Sequence, residues 1–153
     1  MPVERIDVKA SDNEYLHKDF HGALRVGIEF IREKYGEDAV KEYLSDFAHS
    51  YLKSLTEEIN LRGLNAIKDY YENIYKIEDG DVEFQITEDE LLIKVKECPA
   101  VMHMKANNYS VSKSWIETIR TVNEAICDNT RYKAELLEYN VDTGASIQRF
   151  SVK

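Results

Sequence analysis

Apolar residues recur at two different periods along this chain. Through residue 77 the period is helical. Phe20, Leu24, Ile28, Ile31 and Tyr35 repeat at three- and four-residue steps, which predicts a helix from about residue 12 to Tyr35. Ser11 or Asp12 can cap its start, Glu14 suits the first turn, and Gly36 can end it. A second stripe, Val40, Leu44, Phe47, Tyr51, Leu55 and Ile59, predicts one continuous helix over 37–61, stopped by Gly63. A third holds Leu64, Ile67, Tyr70, Tyr71 and Ile74, closed by Glu78-Asp79-Gly80-Asp81.

The period then changes to two. Val82, Phe84 and Ile86 alternate with polar residues, as do Leu91, Ile93 and Val95, with Thr87-Glu88-Asp89 between them. This is a β-hairpin. The strand signal reaches Cys98, with a possible continuation over Val101–Met104 beyond Pro99, which cannot donate a ladder hydrogen bond. Trp115, Ile119, Val122 and Ile126 stripe a fourth helix that starts at Ser110 or Ser112 and ends at Asp128-Asn129. RYKAELLEYN and ASIQRFSVK form a closing hairpin about Asp142-Thr143-Gly144. The expectation is an α+β domain: three N-terminal helices, a β-hairpin, a helix and a β-hairpin, with the helices on a four-stranded antiparallel sheet. Residues 1–11 are read as a flexible arm and 12–153 as the single domain.

Composition narrows the function. The 153 residues carry 43% apolar and 32% charged side chains, which is globular. The net charge of −9 is spread out, with 17 acids against 11 bases in residues 1–80 and 12 against 9 in residues 81–153. A nucleic-acid or anionic-membrane surface needs clustered Lys and Arg, so neither partner is expected. The first residues lack the basic start and apolar run of a signal peptide, and no stretch has the ~18 apolar residues of a membrane span. Two cysteines do not make a disulfide framework, so free thiols and a cytoplasmic location are expected. Amphipathic helices and ten tyrosines leave a homodimer open.

The candidate chemistry centres on CPAVMHMK. Cys98 ends a strand and is the best nucleophile candidate, against a structural alternative. His103 is the nearest histidine, but an odd spacing puts the two on opposite sides of an unbroken strand. His17 and His21 share the helix face of Leu24 and Ile28. They could be pocket bases, a pair of metal ligands, or satisfied, partly buried side chains. Metal binding lacks a third ligand beyond Glu14, so no cofactor is expected. Asn123 borders an apolar stripe and could offer its amide to a ligand. The Tyr70-Tyr71-Tyr75 cluster suits a core edge or a pocket wall. Cys127, at a helix C-terminus, reads as a small buried hydrophobe. His49, Glu117 and Arg120 read as solvated. No Gly-rich phosphate loop, Cys-x-x-Cys pair or serine elbow occurs.

The blocks DFHGALRVGIEFIREKYGEDAVKEYLSDFA, RGLNAIKDYYENIY, CPAVMHMK, ETIRTVNEAIC and LLEYNVDTGASIQRF, taken in order, resemble the L-2-amino-thiazoline-4-carboxylic acid hydrolase-like family over about residues 13–153. The resemblance rests on many weak blocks and no single diagnostic motif. It implies hydrolysis of a C–N bond in a small cyclic amidine-like acid. Cys98 would be the nucleophile or line the site, and His103 or His21 would move protons. Asn123 would orient the substrate; His17 and Tyr71, from their helix faces, are the further candidates for substrate contact. The tail also resembles vinyl-reductase-type ligand-binding domains, which implies the alternative of a non-catalytic small-molecule-binding or sensor domain.

Overall fold

The computed structural model describes residues 16–153, with side chains from Phe20 onward. The arm over 1–11 and the proposed cap at Ser11 or Asp12 lie outside the described residues. Six helices and four strands follow in the order α1 (Leu16–Tyr35), α2 (Glu37–Tyr51), α3 (Lys53–Arg62), α4 (Leu64–Ile77), β1 (Val82–Ile86), β2 (Glu90–Val95), α5 (Pro99–Ala106), α6 (Glu117–Ile126), β3 (Tyr132–Tyr139) and β4 (Ser146–Val152). The class is α+β with one antiparallel sheet, as expected. The strand order is β1-β2-β4-β3, so the two hairpins join through β2 and β4. Leu91, Ile93, Val95 and Phe150 bury the inner face of the sheet against the helices.

Three local expectations are corrected. The helix expected over 37–61 is two helices, which makes four before the sheet rather than three. Leu52 leaves helical geometry at φ −100°, ψ 18°. No Gly or Pro marks this break, so packing sets it. The buried stripe runs Val40, Leu44, Ala48, Leu52, then Leu55 and Ile59, while Phe47 and Tyr51 turn outward. Phe20 and Tyr35 at the ends of α1 are also exposed.

The possible strand at Val101–Met104 is helix α5. Pro99 occupies its first turn, where a missing N–H costs nothing. Ala100, Val101 and Met104 then share one buried face. The fourth helix of the pattern starts at Glu117 rather than near Ser110, after a run of tight turns over 113–116.

Two glycines dock α5. Gly144 has φ +69°, and a Cβ there would lie 2.4 Å from the Cys98 Cβ. Only glycine lets the β3–β4 turn close on the start of α5, where the Cys98 amide donates to the Thr143 carbonyl at 2.9 Å. A Cβ on Gly80 would lie 2.7 Å from Tyr75 Cδ1 and 3.0 Å from Pro99 Cγ. The end of α4 and the start of α5 therefore meet with nothing between them.

Candidate functional site

That meeting point forms the floor of a cleft of about 240 Å³, bounded by α1, α2, α4, α5 and α6. Helical spacing on α4 aims Tyr71 and Tyr75 into it. Glu78 follows on the same face, at the C-cap of the helix. Trp115, from the turns before α6, forms the opposite wall. His21 enters from α1, with its ring edge-on to Trp115 at 6.1 Å between centroids. Its Nε2 lies 2.5 Å from Glu78 Oε1. The Glu78 side chain is 8% exposed and that of His21 21%, so the pair sits mostly out of water.

Cys98 lines the same cleft. Burial pushes its thiol above the usual cysteine range, and the Glu78 charge adds to the rise. The Ala100 and Val101 amides at the start of α5 oppose the rise without cancelling it. The thiol is therefore protonated at neutral pH, unlike an activated nucleophile. Burial also raises Tyr70 and raises Tyr71 strongly, so both are neutral donors at the wall.

Asn123 stands behind the wall. It is buried, and the Tyr71 hydroxyl donates to its Oδ1. Its Nδ2 donates to Gln148 Oε1 at 2.8 Å, and Gln148 Nε2 donates to Ser146 Oγ at 3.0 Å. Both ends of the Asn123 amide are thus used inside the protein, and it meets the cleft only through Tyr71. His103 lines a neighbouring depression, with Asp79, Asp81 and Glu97, which shares Glu78 and Pro99 with the cleft. The turn of α5 carries it away from the face of Cys98 that meets the cleft. His17 lies in the first turn of α1, and its side chain is outside the described residues.

Cys127 is buried and pushed up to about 12 by burial. His49 is exposed, with Nε2 2.7 Å from Asp128 Oδ2. Glu117, expected on a solvated face, is instead 2% exposed, because α6 is enclosed by α2 on one side and β3 on the other. It pairs with Arg120 and accepts from Thr121 Oγ1 at 2.6 Å. Burial pushes its carboxyl up, but these two partners hold it below the ordinary range. Among the described residues, no group of three His, Cys, Asp or Glu side chains is placed to hold a metal ion. Among them, no helix is long and apolar enough to cross a membrane.

Sequence reasoning passed over Glu78 by assigning it to a turn. A signal was there: Glu78 continues the Tyr71-Tyr75 face at helical spacing.

No protein-family model matches this chain, and no curated protein gives a significant match.

Proposed function

We propose that the protein is a small-molecule-binding domain whose ligand occupies the cleft between Trp115, Tyr71 and Cys98. The observation that carries this reading is an aromatic-walled cleft whose cysteine is kept protonated by burial. Pockets of this kind, apolar with a few convergent polar groups, are the usual form of small-ligand sites. A volume of about 240 Å³ exceeds the ~150 Å³ engineered cavity that holds benzene. One substituted ring fits. Trp115 is the only tryptophan in the chain and lines the cleft, so its emission reports occupancy. Titration with a panel of one- and two-ring compounds should shift or quench that emission saturably. A panel that leaves Trp115 emission unchanged throughout defeats the reading.

The hydrolase reading has one observation in its favour: Glu78 holds His21 on the cleft that Cys98 also lines. His21 would accept the thiol proton as Cys98 attacks the amidine carbon of 2-amino-thiazoline-4-carboxylate, and would return it to the ring nitrogen as the C–N bond opens. Water would then add to the carbon held between Cys98 and the substrate sulfur, and the C–S bond to Cys98 would break, returning the thiol and leaving an S-carbamoyl product one water heavier than the substrate. Incubation with that compound, followed by mass spectrometry, should show the gain of one water, and Cys98→Ser should abolish it. An unchanged mass with wild-type protein rejects this reading and leaves the binding one intact.

Exposed aromatic side chains on α1 and α2, among them Phe30 and Tyr43, support a homodimer. Sedimentation velocity tests it. The free Cys98 and Cys127 support a reducing, cytoplasmic location.

A further inference from the structure

A buried carboxylate, that of Glu78, marks the cleft. Among the described residues its ionisable charged side chains are His21 and Glu78, and no described Lys or Arg lines it. Glu78 is nine-tenths buried, and His21 is its ion-pair partner there. His21 engages Oε1. Glu78 also caps the C-terminus of α4, a helix of 14 residues, whose last carbonyls add partial negative charge at the same spot. The start of α5 opposes this, but its Ala100 and Val101 amides face the Cys98 sulfur.

The walls add a second, independent preference. Tyr70 and Tyr71 meet edge to face at 5.1 Å, and Phe47 stacks on Tyr51 at 5.2 Å between centroids. With Trp115 these rings surround the volume beside Glu78. Faces of Trp and Tyr attract cations, and more strongly when water is excluded. A carboxylate ligand would find no guanidinium or ammonium among the described residues of the lining. An amidinium or ammonium would find a buried carboxylate with Trp115, Tyr70 and Tyr71 in the same lining.

We infer that the ligand of this cleft is a small organic cation, an amine or amidine carried on a planar ring, with its charged nitrogen on Glu78 and its ring between Trp115 and the tyrosines. This rests on the ligand-binding reading above and adds the charge of what binds.

Benzamidine, benzamide and benzoate separate the two claims, because they share one ring and nearly one shape. Isothermal titration or Trp115 emission at pH 7.5 should give benzamidine an affinity at least tenfold above benzamide, with benzoate undetectable. Glu78→Gln keeps a hydrogen-bonding partner for His21 and removes the charge. It should bring benzamidine down to the benzamide level and leave benzamide unchanged, with circular dichroism confirming a folded variant. Equal binding of all three compounds overturns the cation assignment while the cleft remains a ligand site. Binding by none of the three, in wild-type protein, overturns both.

Discussion

Two histidine–carboxylate pairs in this protein have the same chemistry and different surroundings. His49 and Asp128 lie 2.7 Å apart on the surface, with side chains 45% and 55% exposed. His21 and Glu78 lie 2.5 Å apart at the bottom of an aromatic cleft, where the carboxylate is nearly out of water. Water and salt solvate the first pair whether or not it forms, so forming it changes little. The second pair has few substitutes for its partners. A buried charge depends on what is placed beside it, whether a histidine or a ligand. Burial, rather than residue identity, sets the two pairs apart.

The sharpest way to break this comparison is to remove one partner at a time and measure urea unfolding. His21→Ala leaves the Glu78 carboxylate without its partner. Breaking a buried pair costs roughly 3–5 kcal/mol, and water entering the cleft lowers that here to about 2–3 kcal/mol. Glu78→Ala should cost less, about 1–2 kcal/mol, because the His21 ring is more exposed than the Glu78 carboxylate and keeps its contact with Trp115. His49→Ala and Asp128→Ala should each cost less than about 0.5 kcal/mol. Comparable losses at both pairs would erase the distinction.

The thiols extend the comparison to kinetics. Burial raises both cysteines, so iodoacetamide at pH 8 should label native Cys98 and Cys127 far more slowly than the urea-unfolded chain. A cleft ligand should slow Cys98 further and leave Cys127 unaffected. Fast native labelling of Cys98 would return weight to the hydrolase reading.

Glu117 and Arg120 provide an intermediate case, a buried carboxylate with a half-exposed partner. The folded state holds the Glu117 carboxyl below its unfolded value, so folding favours the ionised form. Its stabilisation is complete above the unfolded value of 4.5 and fades as pH falls through the lower folded value. Urea midpoints followed from pH 7 to pH 3 should fall less steeply in Glu117→Gln than in wild-type protein. The smallest expected effect is at the surface pair. In a double-mutant cycle the His49–Asp128 coupling should vanish in about 1 M salt, where the screening length is ~3 Å.

The order of elements and the α+β class were legible because each rests on local periodicity. Val82-Phe84-Ile86 can bury one side only as a strand, and Leu64-Ile67-Tyr71 only as a helix. Chain-wide patterning also placed both hairpins and the glycine turn at Gly144. The break at Leu52 was not legible, since no residue there disfavours a helix. Nor was α5, whose eight residues are too few for periodicity to separate a helix from a short strand.

For the site, the sequence by itself determined that His21 and Tyr71 lie on the inner faces of their helices, and that Cys98 follows a strand. Only the tertiary structure decided that these three share a cleft, that Glu78 meets His21 across 57 residues of chain, and that Asn123 spends its amide on Tyr71 and Gln148. It also decided that Glu117 is buried and that His103 faces another depression. The physical reason is that side-chain direction follows from local backbone geometry, whereas desolvation and partnership depend on residues brought together from distant parts of the chain. Those are the quantities that set charge, protonation and affinity.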